Sequence, residues 1–228
     1  IGASEYINNT LRYCLWLVGV SPAELKNMPQ VLNRVRLCKE NRENAPDAGR
    51  KKLALTPALF REQLNPETYV VVPATSSERR RYIPMGFLGK DTIPTNAVLI
   101  IPDAKIYHFG VLTSNVHMAW MRAIAGRLKS DYRYSKDIVY NSFPWPHPTV
   151  QQKAKIEKTA QAILDARKLY PDCSLADLYD EVTMPPELRK AHQENDRAVM
   201  EAYGFPIKNF TESDCVAKLF DLYKAYTK

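Results

Sequence analysis

The chain has 228 residues, 45% of them hydrophobic, enough for one large domain or two small ones with a real core. Its formal net charge of +7 favours an anionic partner, although such a charge also occurs in proteins that bind none. Cys14, Cys38, Cys173 and Cys215 stand far apart, with no C-x-x-C pair and no histidine at zinc-ligand spacing. That usage excludes a disulfide scaffold and predicts buried free thiols in a reducing, cytoplasmic setting.

The first residue is Ile1, and Gly2-Ala3-Ser4 reads as the middle of a longer chain. Glu5 to Val20 has an apolar, aromatic second half compatible with a strand or the last turn of a buried helix. Ser21-Pro22-Ala23-Glu24 opens a helix, with a serine cap, proline in the first turn and an acid three residues on. Leu25, Met28, Val31, Leu32 and Val35 continue it, and Pro29 is a point of kinking or splitting. Glu40 to Lys52 is expected to be a surface loop whose Arg50, Lys51 and Lys52 touch phosphates or simply face solvent.

From Tyr69 the period becomes β-like, with runs at Tyr69–Val72, Tyr82–Leu88 and Ala97–Ile101 separated by turn residues. They predict a small mixed or antiparallel sheet. Between the first two lies Ser76-Ser77-Glu78-Arg79-Arg80-Arg81-Tyr82, the densest basic cluster in the chain. Three arginines beside hydroxyls suit a phosphate backbone, or else a turn whose arginines pair with local carboxylates.

Tyr107 to Pro146 holds a helix, a stop, a basic aromatic segment and a proline-locked exit. Thr113 and Ser114 are cap residues, and Val116, Ala119, Trp120, Ala123 and Ile124 recur at helical spacing. Gly126 is expected to end the helix in a left-handed turn, leaving Arg127 onward extended. In an extended segment Lys129 and Asp131 project from one side. A lysine donates to guanine O6 and N7 and an aspartate accepts from cytosine N4, so together they suit one G·C pair in a major groove. The alternative is a solvated ion pair. Arg122, Arg127, Arg133 and Lys136 suit phosphates, and Tyr132 and Tyr134 suit stacking or phosphate hydrogen bonds.

After Trp145-Pro146-His147-Pro148 the character is helical. Val150–Tyr170 stops at Pro171, Ser174 opens a short helix to Glu181, Pro185-Pro186 opens another reaching Gly204, and Thr211 caps a last one. The fold class expected is α+β, a small sheet with packed helices followed by an all-helical subdomain. The boundaries are a connecting segment at 1–45, an α+β domain at 46–148 and a helical domain at 149–228.

No G-x-G-x-x-G, P-loop, G-x-S-x-G or H-E-x-x-H motif occurs. His108, expected in a strand, and His117, expected in a helix, read as structural, and Asp172 and Glu181 as helix-end charges. No residue is assigned to catalysis or to a metal, so a stand-alone metal nuclease and a module docking an acidic protein remain the other classes.

Four segments together are more specific than any single motif: Tyr107-His108-Phe109-Gly110, His117 to Arg122, Gly126 to Ser135 and Val139 to Pro146. They resemble the target recognition domain of MmeI-like, Type IIL restriction-modification DNA methyltransferases, and 149–228 is similar to the helical domain that follows it. The resemblance implies a bacterial, cytoplasmic specificity fragment that binds double-stranded DNA. It implies that adenine methylation with S-adenosylmethionine belongs to an upstream methyltransferase core, because the Asn-Pro-Pro-Tyr/Phe and glycine-rich motifs of that core are missing here. It also implies that Lys129 and Asp131, flanking Ser130, set one base pair, and that Asn96, Ala97 and Ala74 match positions reading a neighbouring one. Ala97 and Ala74 have no hydrogen-bonding side chain, so groove shape or a thymine methyl is all they can read.

Overall fold

The structure is a computed structural model that describes residues 1–226. It is an α+β protein whose chain forms two compact units, one of residues 12–65 and one joining residues 1–11 to the remainder from Pro66.

The smaller unit is helical. Helix α2 (Pro22–Lys26) carries the expected capping box, Glu24 N–H donating to Ser21 Oγ at 3.2 Å and Ser21 N–H to Glu24 Oε2 at 2.8 Å. Pro29 divides it from α3 (Pro29–Glu43), sitting at a helix start where its missing N–H costs nothing. The expected loop at Glu40–Lys52 is largely helix instead. α3 runs on to Glu43, and α4 (Ala48–Lys52) starts where Asp47 accepts the Arg50 N–H at 2.6 Å. A 3₁₀ turn, Leu53–Leu55, follows, and the guanidinium of Arg42 donates to the carbonyls of Leu53, Thr56 and Leu59, each at 2.9 Å. One charged fork thus fixes a segment too short to make regular structure of its own.

The larger unit starts with α1 (Ala3–Ile7) and continues with β1 (Thr68–Pro73), β2 (Thr75–Ser76), β3 (Gly86–Gly89) and β4 (Val98–Pro102). Strand β1 is central, antiparallel to β3 on one side and β4 on the other. It is buried on both faces, which explains its unbroken Tyr69-Val70-Val71-Val72 run. The expected strand over Tyr82–Leu88 is shorter, because Pro84 has no N–H for a ladder and pairing begins only at Gly86.

Helices α5 (Ile106–Leu112) and α6 (Asn115–Ile124) come next, then strands β5 (Gly126–Leu128) and β6 (Asp131–Arg133) and a π-helical turn at Lys136–Tyr140. His108 was expected in a strand but lies in α5, where its Nδ1 accepts the Lys105 N–H at 2.9 Å and so caps the helix. The four terminal helices are α7 (Val150–Lys168), α8 (Leu175–Leu178), α9 (Pro186–Ala202) and α10 (Glu212–Tyr226).

These terminal helices share cores with α5 and α6: Phe109, Leu112, Met118 and Met121 pack with Ala160, Ile163 and Leu188, while Trp120 packs with Val199 and Leu219. Gly110 marks the closest approach. A Cβ there would stand 2.8 Å from Ile156 Cγ2 and 2.9 Å from the Ala160 Cβ, so only glycine lets α5 meet α7 at this distance. Beside it, Asn195 on α9 donates through Nδ2 to the Gly110 carbonyl at 2.7 Å.

Candidate nucleic-acid interface

Helix α6 starts where Ser114 Oγ accepts the His117 N–H, and it ends in an extended residue, Ala125, at φ −65° and ψ 143°. Gly126 has no positive φ and is not the left-handed stop that its position suggests. It is the first residue of β5 and pairs with Arg133. The chain leaves the helix extended, as expected, but it does not stay extended. β5 and β6 form a hairpin with Arg127 opposite Tyr132 and Leu128 opposite Asp131, which leaves Lys129 and Ser130 as a two-residue turn. Lys129 has φ +56°, a conformation that L-residues avoid and that a two-residue hairpin demands.

The two-apart rule for strands therefore does not relate Lys129 to Asp131, since one is in the turn and the other opens β6. Lys129 is nevertheless exposed and Asp131 half-buried, at the same end of one hairpin. Among the described residues no ion pair joins them.

Directly opposed residues in an antiparallel ladder share a face, which sorts the side chains. β2 adds a third strand, Thr75 opposite Arg133 and Ser76 opposite Tyr132. One face carries Ser76, Tyr132 and Arg127; the other carries Thr75, Arg133, Gly126, Asp131 and Leu128. On the first, Tyr132 is 8% exposed and Tyr134 4%. The Tyr134 hydroxyl lies 2.9 Å from His117 Nε2, and burial pushes His117 down to about 3, which keeps the ring neutral. Neither tyrosine is free to stack on a base or to reach a phosphate. That expectation is corrected: strand alternation turns both rings into the core, and Asp131 and Arg133 outward.

Backbone hydrogen bonds tie the hairpin to the expected second reading position. The Ala74 carbonyl accepts the Tyr134 N–H at 2.9 Å, and the Ala74 N–H donates to the Ala97 carbonyl at 3.2 Å. Ala74, Ala97 and β6 thus form one continuous framework, with Asn96 and Ala97 exposed and Ala74 half-buried.

The basic residues divide into two sets. Arg122 donates through Nε and Nη2 to Glu212 at 2.7 and 2.8 Å and through Nη1 to the Arg81 carbonyl at 3.1 Å, so its fork is taken up internally. Arg127 lies over Tyr132, donates to the Ser130 carbonyl at 2.6 Å and stands 3.7 Å from Glu78. Both were expected at phosphates; Arg122 is taken up by internal partners, whereas Arg127 braces the hairpin and remains exposed. By contrast Arg79, Arg81 and Arg133 are exposed, and Arg80 is half-buried. Lys136 is exposed, with Asp137 at 3.9 Å. Among the described residues, Arg79, Arg80 and Arg81 form no salt bridge. With Arg122, Glu181 and Glu212 they edge a cleft of about 450 Å³. Burial lowers the pKa of Arg80, and the carboxylates of Asp131 and Asp180 oppose that shift.

One residue of this assembly escaped the sequence. Asp196, on α9 and 4% exposed, accepts the Tyr82 hydroxyl at 2.6 Å and the Asn115 N–H at 2.7 Å. It joins the end of the arginine arm to the start of α6. Burial raises its pKa to about 6, against the two hydrogen bonds and the nearby Arg81 and Arg122, which pull it down. An acid on a polar helix carries no sequence signal of such a partnership. Among the described residues no cluster of His, Cys, Asp or Glu is suited to a metal ion.

A two-sheet α+β platform that projects a short basic hairpin, with terminal helices packed behind it, defines a recognition module. Residues 1–147 match the family described as MmeI, target recognition domain, and residues 149–228 match MmeI, C-terminal domain. The chain belongs to this MmeI family. It is 47% identical over 204 residues to DNA methyltransferase A of Bacillus subtilis (strain 168), a match covering 89% of this chain and 23% of that protein. A solved structure of the Type IIL restriction-modification enzyme MmeI in complex with DNA superposes with a TM-score of 0.95 at 46% identity, covering 100% of this chain and 30% of the other. The chain thus spans less than a third of the length of either relative.

Proposed function

We propose that this chain recognises a sequence in double-stranded DNA as the specificity part of an adenine-N6 methyltransferase of the restriction-modification type. Methyl transfer and the S-adenosylmethionine that supplies it are assigned to a separate methyltransferase core, because no residue here carries a motif for either. The observation that carries the reading is the hairpin: a lysine and an aspartate stand at the accessible end of a ribbon narrow enough for a major groove. Lys129 donates to guanine and Asp131 accepts from cytosine N4. Asn96, Ala97 and Ala74, joined to the hairpin through the backbone, face a neighbouring pair.

Arg79, Arg80, Arg81, Arg133 and Lys136 supply the cationic surface that fixes register on the phosphates. Arg80 has a second effect: it attracts the Asp131 carboxylate through space, without a salt bridge between them, and so offsets part of the repulsion that a carboxylate meets among phosphates.

The test is an exchange of charges. Lys129→Glu with Asp131→Arg in the intact enzyme moves preference at one position from G to C, read by selection from randomised duplexes. An unchanged recognition sequence, or no DNA binding by the unaltered protein, overturns the assignment.

A further inference from the structure

The outward face of the hairpin carries one large apolar side chain, Leu128, which is 55% exposed. It lies opposite Asp131 in the β5–β6 ladder, where Cβ atoms stand roughly 4.5–5.5 Å apart on one face. Leu128 belongs to none of the hydrophobic clusters of the fold. Every residue of β5 is exposed, and a Cβ built at Gly126, two residues back, would meet nothing within 4 Å. The leucine therefore contributes to no core, and its face is open to a partner.

On the DNA reading above, on which this inference rests, the face next to Leu128 is the edge of a base pair. Polar groups line the major groove except at one point, the thymine 5-methyl group. The cross-strand separation keeps Leu128 within about one base-pair step of roughly 3.4 Å from the pair that Asp131 reads, and that pair, a G·C, holds no thymine, so the thymine within its reach belongs to the neighbouring pair. We propose that Leu128 is a specificity-determining residue that reads a thymine methyl group at the base pair adjacent to the Lys129/Asp131 pair.

The experiment starts from the duplex that the unaltered protein selects from a randomised pool. Each thymine is replaced in turn by deoxyuridine, which removes only the methyl group. At the thymine adjacent to the pair located by the Lys129/Asp131 exchange, the substitution weakens binding by about fourfold, as expected for one buried methyl. Leu128→Ala binds the thymine and deoxyuridine duplexes equally there and keeps its response at every other position. An unshifted melting temperature shows that the variant is folded, as the exposure of the side chain leads one to expect. The proposal is overturned if no deoxyuridine position distinguishes Leu128→Ala from the unaltered protein, or if Leu128→Ala weakens all duplexes alike. A selected sequence with no such position removes Leu128 alone, whereas failure to select any sequence removes the DNA reading together with it.

Discussion

Arg127 lies over Tyr132 across the hairpin, its guanidinium carbon 3.7 Å from the ring centroid. The same guanidinium donates to the turn carbonyl of Ser130, so one side chain clamps the strand pair and the strained turn together. A cation over an aromatic ring contributes about 0.5–1 kcal/mol, and a charged hydrogen bond about 1.5–3 kcal/mol. Arg127→Ala is expected to open the hairpin locally: amide exchange in β6 accelerates by at least about tenfold, while the global melting temperature barely moves. Sequence discrimination falls, yet the salt dependence of DNA binding stays. A phosphate-binding arginine gives the opposite pattern, a slope reduced by about 0.9.

How much of this was legible depends on whether local chemistry or packing made each element. Helices α2, α8 and α10 were readable because Ser21, Ser174 and Thr211 each pair with an acid three residues on, and α7 from its long helical pattern ended by Pro171. Central β1 was readable from its β-branched run. Helix α5 was not, because Tyr107 to Leu112 has no helical stripe, and it is held as a helix by packing against α7 through Gly110. The hairpin was hidden for a different reason. Its turn is Lys-Ser rather than Asn-Gly or Asp-Gly, so the positive φ at Lys129 had no marker. Lys129 and Asp131 were singled out by the two-apart spacing of an extended segment, which the turn at Lys129 removes, and by the family pattern, which does not depend on it, while the inward turn of Tyr132 and Tyr134 needed the strand register.

Asp196 makes the fold sensitive to pH. Its folded pKa, about 6, lies above the usual 3.8. The group therefore favours folding fully below pH 4, and that contribution is lost as pH rises through 6. A shift of about two units corresponds to about 3 kcal/mol. Asp196→Asn keeps both partners, with its oxygen accepting the Asn115 N–H and its amide donating to the Tyr82 hydroxyl, but it carries no charge. Urea denaturation across pH 4 to 8 should show the variant gaining about 3 kcal/mol relative to the parent as pH rises. His117 and His192, both buried and neutral, titrate in the opposite sense and cancel in the comparison. Asp196→Ala leaves the buried Tyr82 hydroxyl and the half-buried Asn115 N–H unpaired, and the hydroxyl alone is expected to cost about 1–3 kcal/mol. A difference between parent and Asn variant that does not change with pH would remove the buried charge from the account.

The three adjacent arginines should not behave alike. Arg79 and Arg81 are exposed and form no salt bridge, Arg81 lying 5.6 Å from the centroid of the Tyr82 ring, which suits contact with phosphates. Arg80 is half-buried, and against that burial the Asp131 carboxylate favours its charge through space, without a salt bridge between them. Replacing Arg79 or Arg81 with alanine should weaken binding to every duplex and lower the slope of log affinity against log salt by about 0.9 each, with the selected sequence unchanged. Arg80→Ala should lower the slope too, and it should also relax preference at the base pair assigned to Lys129 and Asp131, because it leaves the carboxylate among phosphates without its neighbouring cation. Salt titrations on the selected duplex, and on one altered at that pair, separate the two effects. Identical behaviour of the three variants would mean that the Arg80–Asp131 interaction does not extend to the bound state.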